Sequence, residues 1–304
     1  MDKNLFQSLC KMSNKSLYSF LIKIFEKSYS EIHYVPDNYI YAVGNLPITL
    51  VAHADTVFTI KPVEFFYDEK KDIMWSPEGL GADDRAGIYA ILTLLAKGFK
   101  PSVIITDGEE KGGIGAKKFI KDFPHPRTKT NYVIEIDRQG KDDCVFYSCD
   151  NPKFQKYIEN FGFMTQWGTF TDISIICPAW GVAGVNLSAG YLDEHSYAER
   201  LCPSWLDMTI NKVAKILSQK THKKYKYIPK QNYYYGGFSS TGFLTECDAC
   251  NNLIYPEDYL LIYDESGIGR KLCWNCIEKY SEALLWCDNC NSLYMGDKCG
   301  RCSK

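Results

Sequence analysis

Apolar positions Leu17, Phe20, Leu21, Ile24 and Phe25 recur at helical spacing between Leu5 and about Tyr29, which predicts one amphipathic opening helix used for packing. After Pro47 the pattern alternates. Residues 48–52 form an apolar run, 86–96 a helical run closed by Gly98, 102–106 a β-branched run, 132–136 and 182–187 apolar runs, and 208–217 a second helical run. Strands alternating with helices predict an α/β sandwich. Beyond residue 217 the periodicity stops. Lys220, Lys223, Lys224, Lys226 and Lys230 follow without an acid among them, then three tyrosines at 233–235 and a stretch rich in glycine and serine to 242. The expected organisation is a main domain over 1–225, a linker over 226–242 and a separate cysteine-rich module over 243–304.

Composition narrows the class. The 304 residues are 45% hydrophobic and 24% charged, enough for a globular domain with a smaller companion. Thirty-five Lys and Arg against thirty-seven Asp and Glu leave a net charge of −2, so no global basic field addresses nucleic acid or an anionic membrane. Lys11, Lys15, Lys23 and Lys27 interrupt the apolar runs expected of a signal peptide, and no run reaches the ~20 residues of a membrane span, so the expectation is a cytoplasmic protein. Eight of the thirteen cysteines form four Cys-x-x-Cys pairs between Cys247 and Cys302, which in a reducing compartment points to metal rather than disulfides.

The polar chemistry collects at strand ends. His53-Ala54-Asp55 follows the run at 48–52, Asp107, Glu109 and Glu110 follow 102–106, Asp137 ends 132–136, and His195 lies beyond 182–187. A parallel sheet delivers such ends to one crevice. Asp83 and Asp84 sit in Gly79-Leu80-Gly81-Ala82-Asp83-Asp84-Arg85-Ala86-Gly87, just before a helix. Imidazoles with several carboxylates are a donor set that Zn²⁺ accepts; a bridging carboxylate would make a two-metal site, and a spare one beside it can act as a base.

In this order, His53-Ala54-Asp55, Gly81-Ala82-Asp83-Asp84-Arg85-Ala86-Gly87, Glu109-Glu110-Lys111-Gly112, Glu135-Ile136-Asp137 and His195 resemble the co-catalytic zinc exopeptidase superfamily, which includes leucyl aminopeptidase-like enzymes and peptidase T, over roughly residues 45–200. The resemblance implies a three-layer α/β/α sandwich with a mixed, largely parallel sheet. It implies that His53, Asp83, Glu110, Asp137 and His195 ligate two co-catalytic zinc ions, Asp83 bridging them with a cis peptide to Asp84. Asp55 orients His53, and Glu109 is the general base. Mn²⁺ or Co²⁺ suits the oxygen-rich site as well. Gly168-Thr169-Phe170-Thr171-Asp172-Ile173 resembles a supporting stretch in which Asp172 holds a ligand or a substrate group. Only 57 residues separate Asp137 from His195, so the lid or dimerisation domain that some members insert there has no room.

In the tail, Cys247, Cys250, Cys273 and Cys276 have near zinc-ribbon spacing, and Cys287, Cys290, Cys299 and Cys302 form a shorter second set, each with four thiolates for one structural zinc. Spacing alone admits sequential or interleaved pairing. From 243 to 304 six Lys and Arg face ten Asp and Glu, which disfavours nucleic acid as the partner of this module and leaves a protein partner or self-association. Cys10, Cys144, Cys149, Cys177 and Cys202 have no ligand spacing and read as buried thiols.

The function expected is a metallo-exopeptidase cleaving peptide or related amide bonds at a chain end, with Glu109 taking a proton from water and passing it to the leaving amine. The alternatives are a non-peptide amidohydrolase or deacylase, and a zinc-dependent protein-binding scaffold on a non-catalytic hydrolase fold. Retention of Glu109 beside five ligands separates an enzyme from a scaffold.

Overall fold

The computed structural model describes residues 1–230, 245–254, 259–266, 268–287, 289–290, 292–299 and 302. The chain divides into two compact units, Met1–Gln231 and Asn232–Lys304.

The first unit opens with two helices where apolar spacing predicts one, α1 (Lys3–Lys11) and α2 (Asn14–Ser28). Met12 is extended, and the Ser13 hydroxyl accepts the Ser16 amide at 3.2 Å. A side-chain oxygen that satisfies a first-turn amide starts a new helix in the middle of an unbroken apolar stripe. Both helices bury that stripe, through Phe6 and Leu9 of α1 and Leu17, Leu21 and Phe25 of α2.

The elements that follow are β1 (Ile32–Val35), β2 (Tyr39–Ala42), β3 (Leu46–His53), β4 (Phe66–Asp68), β5 (Ile73–Trp75), α3 (Ala82–Ala96), β6 (Pro101–Thr106), α4 (Ile114–Asp122), β7 (Tyr132–Arg138), β8 (Asp143–Val145), α5 (Pro152–Glu159), β9 (Met164–Thr165), α6 (Ile173–Trp180), β10 (Gly184–Ser188), β11 (Tyr191–Leu192), β12 (Arg200–Leu201) and α7 (Pro203–Leu217). Eight strands form one sheet in the order β1-β2-β6-β3-β7-β10-β8-β9. Its centre, β6-β3-β7-β10, is parallel, while β1, β2 and β8 join by antiparallel pairing. β11, β12, β5 and β4 make a second, smaller sheet.

Strand alternation splits the core into two faces. Ile48, Leu50, Ala52, Ile134 and Ile136 pack with α1, α2, α3, α5 and α7, whereas Val51, Ile104 and Val133 pack with Phe119 of α4 and Ile173, Ile176 and Trp180 of α6. This is the expected three-layer sandwich with a mixed, largely parallel sheet. The 57 residues between Asp137 and His195 supply β8, α5, β9, α6, β10 and β11, extending the same architecture and leaving no inserted domain.

The first unit also runs later than residue 225. Lys226 bridges to Val182 and Pro229 to Cys149, so the first residues of the segment expected as linker lie along the sandwich, with Tyr225 buried. Residues 231–242 of that segment lie outside the described residues.

In the second unit, β13 (Thr245–Glu246) pairs with β14 (Leu253–Ile254), and β15 (Tyr259–Tyr263), β16 (Gly269–Cys273), β17 (Leu284–Cys287) and β18 (Ser292–Met295) form a sheet in the order β16-β15-β18-β17, with α8 (Trp274–Lys279) following β16. Its buried apolar centre is small: Ile262 and Leu272, packed with Cys247, Cys273 and Cys276. Among the described residues, no helix is long and apolar enough to cross a membrane.

Candidate metal centre

β3 and β7 lie side by side, yet the chain leaves β3 toward β6 and leaves β7 toward β10. Divergence of the connections opens a crevice beyond the strand ends. His53 is the last residue of β3 and Asp137 lies at the end of β7, and they meet there, His53 Nε2 3.4 Å from Asp137 Oδ1. Asp83 joins them from the start of α3, its Oδ1 2.9 Å from His53 Nε2. Its other oxygen, Oδ2, lies 3.0 Å from His195 Nε2, which is also 3.0 Å from Glu110 Oε1. Two groups of ligand atoms result, His53–Asp83–Asp137 and Asp83–Glu110–His195, and Asp83 belongs to both.

The donors suit divalent cations. Tetrahedral bonds of about 2.0–2.1 Å give donor separations near 3.3 Å, close to those here. Glu110 Oε1 is buried without a hydrogen-bond partner although His195 Nε2 is 3.0 Å away, so the two atoms are placed for a shared neighbour rather than for each other.

The local backbone explains how Asp83 reaches both groups. Gly81, with φ +65°, turns the chain into α3, and the helical angles fail at Asp83 and Asp84, whose connecting peptide is cis. Asp84 is fully buried; it accepts the Gly87 amide at 2.8 Å and the His53 amide at 3.3 Å, tying the helix start to the end of β3. Glu199 holds the same turn from far along the chain, accepting the Ala82 amide at 3.0 Å and the Asp83 amide at 3.3 Å. It replaces the cap that Gly81 cannot provide. Arg85 lies beneath the site, donating to the carbonyls of Ala54 and Met12 and to Asn14 Oδ1.

Asp55 does more than stand behind His53. Its Oδ1 is 3.3 Å from His53 Nδ1, and its two oxygens accept the Glu109 and Glu110 amides at 3.1 and 3.2 Å. One carboxylate thereby fixes both the imidazole of one group and the turn that delivers Glu110 to the other. Asp137 is held by its own amide on Asn186 Oδ1 at 2.9 Å, by the Tyr191 hydroxyl at 3.1 Å and by the Thr171 hydroxyl, which lies 3.1 Å from Asp137 and 2.7 Å from Glu135.

Crowded carboxylates set the electrostatics. Burial, with the charges of Asp137, Asp172 and Asp83 adding and His53 opposing, raises Glu109 to about 9. Burial and the Asp83 charge raise Asp137 to about 6, and burial raises Asp172 to about 7. Asp83 goes the other way: burial works against its ionised form, but hydrogen bonds from His195 and His53 bring it below the usual carboxylate range. The Asp83 carboxylate, which accepts from His195 Nε2, and the Glu110 carboxylate beside it raise that imidazole to about 11. Glu109 belongs to neither ligand group, though the charges of His53, Asp137 and Asp83 act on it. Asp172 also stays outside them; one oxygen accepts from Thr106, and the other is buried without a partner.

Glu199, Asn186 and Tyr191 lie outside every motif of the sequence, and Arg85 and Thr171 stand inside motifs that gave them no role of their own. Glu199 lies 117 positions from the amide it caps, and nothing in its neighbourhood marks it as a cap.

The tail resolves into sequential sets, Cys247–Cys250–Cys273–Cys276 and Cys287–Cys290–Cys299–Cys302. Sulfur separations are 3.8 Å for Cys250–Cys273 and 3.7 Å for both Cys287–Cys302 and Cys290–Cys299. A tetrahedron with Zn–S bonds of about 2.3 Å has edges of about 3.8 Å, so the thiols fit one zinc per set. Cys10, Cys144, Cys149, Cys177 and Cys202 are all buried and apart from these sets.

Residues 36–165 match the family model described as peptidase family M28. A tripeptidase from Staphylococcus aureus subsp. aureus Mu50 has a similar structure, with TM-score 0.59, 16% identity and coverage of 70% of this chain and 96% of that one. The aminopeptidase PepT from Bacillus cereus ATCC 10987 gives TM-score 0.57 at 17% identity over 70% and 96% of the two chains, and an aminopeptidase from the archaeon Desulfurococcus kamchatkensis gives 0.52 at 14% over 72% and 94%. None of the curated proteins compared matches the sequence. These likenesses carry the fold, and the family match supports metal-dependent peptide hydrolysis. The first unit thus carries a segment similar to peptidase family M28 on a sandwich that shares the fold of these peptidases, which supports the co-catalytic zinc exopeptidase superfamily, and it is followed by a cysteine module whose two thiol sets fit a zinc ribbon.

Proposed function

We propose that the first unit is a two-metal exopeptidase in which His53, Asp83 and Asp137 hold one divalent ion and Asp83, Glu110 and His195 the other, with zinc as the resident metal. The observation that carries this reading is the shared carboxylate of Asp83, whose two oxygens face two imidazoles 2.9 and 3.0 Å away. Bound there, the ions would supply Lewis acidity toward a scissile carbonyl and toward water.

Glu109 provides the proton traffic. It takes a proton from the attacking water and returns it to the leaving amine, a role for which a buried carboxyl with a raised pKa is suited once cations offset the surrounding negative charge. Asp55 holds the Glu109 amide and the His53 ring in one frame and so fixes the base against the ligand groups. The tail sets would each hold a structural zinc. Manganese or cobalt in the first unit is compatible with the oxygen-rich donors.

Cleavage at a chain end is supported by the similar structures, a tripeptidase and two aminopeptidases. The test compares zinc-loaded protein on a short peptide with a free amino end and on the same peptide acetylated there. The expected result is kcat/KM at least about 100-fold higher for the free peptide, equivalent to about 2.7 kcal/mol of transition-state binding. Equal cleavage of both, or internal cleavage, would remove the chain-end part of the reading.

A further inference from the structure

Asn14 is the first residue of α2, just after the break at Met12 and Ser13, and it precedes the segment 36–165 that matches the family model. Its side chain serves two partners. Oδ1 accepts from the Arg85 guanidinium at 3.3 Å, and Nδ2 donates to Asp107 Oδ2 at 3.2 Å. A guanidinium only donates and an ionised carboxylate only accepts, so the two neighbours fix which end of the amide faces which.

Each partner leads to one part of the metal centre. Arg85 is fully buried, and among the described residues its guanidinium meets only uncharged acceptors, Asn14 Oδ1 and the carbonyls of Ala54 and Met12. Ala54 lies between His53 and Asp55, so Arg85 holds the end of β3. Asp107 opens the turn that carries Glu109 and Glu110. Its amide donates to the Asn38 carbonyl at 2.7 Å, and its carbonyl accepts the Gly115 amide at 2.8 Å. A Cβ on Gly115 would stand 2.3 Å from the Asn38 oxygen and 2.5 Å from the Asp107 oxygen, so α4 starts in direct contact with this residue.

A closed circuit results. Asp55 accepts the Glu109 and Glu110 amides at 3.1 and 3.2 Å, which joins the end of β3 to the turn directly. Arg85, Asn14 and Asp107 join the same two segments by a second route. Held by Asp55 alone, the turn could pivot about that one carboxylate; the second attachment removes the pivot. Neither Asn14 nor Asp107 belongs to a ligand group.

We infer that Asn14 is a positioning residue that sets the turn bearing Glu109 and Glu110 against the strand bearing His53. The inference rests on the two-metal reading above. A general base works only within hydrogen-bond reach of its water, and a misplacement of about 1 Å costs up to about 100-fold in rate. The break between α1 and α2 thereby gains a use, because it brings the Met12 carbonyl and the Asn14 side chain to one guanidinium.

The test compares the zinc-loaded full chain as wild type, as Asn14→Asp and as the exchanged pair Asn14→Asp with Asp107→Asn, on a short peptide. Asn14→Asp keeps an acceptor for Arg85 but sets a carboxylate against a carboxylate. The exchange restores one donor facing one acceptor. The expected result for Asn14→Asp is kcat about 10- to 100-fold lower with KM within about twofold of wild type, and the exchange should return kcat to within about threefold. Wild-type kcat in Asn14→Asp, a loss carried by KM, or a loss that the exchange leaves in place would overturn the inference. Cobalt-loaded proteins give a second readout, since the visible bands follow the donor geometry at the ion and the thiolate bands of the tail cancel on subtracting wild type from variant. If wild type cleaves no peptide, the peptidase reading has failed by itself and these bands decide the inference: a change in Asn14→Asp that the exchange reverses sustains it, and bands unchanged in Asn14→Asp overturn it.

Discussion

Glu109→Gln is expected to keep its metal ions and lose about 1,000-fold or more in kcat on a short peptide, with KM close to wild type. Glutamine matches glutamate in size and leaves the Glu109 amide free to donate to Asp55 as before. Glu109 is absent from both ligand groups, so metal content measured by plasma mass spectrometry should match wild type. Only the proton acceptor is lost. Substantial turnover in this variant would move the base elsewhere, and the site offers two other buried carboxylates with an unpartnered oxygen, Glu135 and Asp172. Loss of metal together with activity would instead make Glu109 a ligand.

Chelation of the tail should unfold the second unit and leave the first intact. Apart from its cysteines, Ile262 and Leu272 are the only buried apolar side chains of that unit among the described residues, too little apolar burial to offset the ordering of its chain. A structural Cys₄ zinc contributes on the order of 10 kcal/mol of folding free energy, so loss of either set exceeds the whole stability of a small domain. The first unit carries its own two-faced core around an eight-stranded sheet. Cys273→Ala in the full chain should therefore erase the dispersed amide resonances of the second unit in a heteronuclear spectrum and leave those of the first in place. Retention of the second unit's dispersion would mean that the fold does not depend on this thiol set.

Much of this was legible in the sequence for identifiable reasons. The four central strands are buried on both faces and read as continuous apolar runs, and the site residues stand at their ends because a parallel sheet aligns those ends. What escaped was polar and long-range. The break between α1 and α2 turns on one hydroxyl, that of Ser13, within an apolar stripe that otherwise continues. β4, β5, β11 and β12 are only two or three residues long, below the length at which a period of two can be recognised. Glu199 acts on Ala82 and Asp83 through tertiary folding, as do Tyr191 and Thr171 on Asp137, and no local pattern encodes such partners. The cysteine spacing gave the ligand sets but not their pairing, which follows from the sulfur positions.

The most direct test of the central claim is a zinc titration of metal-stripped full-length protein, with peptide release and bound metal measured at each step, beside Asp83→Ala. Four ligand groups predict about four ions per chain at saturation. Turnover should be absent without metal and appear only as the two groups of the first unit fill. Asp83→Ala, having lost the carboxylate common to both groups, should bind about two ions fewer and release no product. Peptide release by the metal-free protein, or an Asp83→Ala variant with unchanged metal content and activity, would contradict the two-metal account.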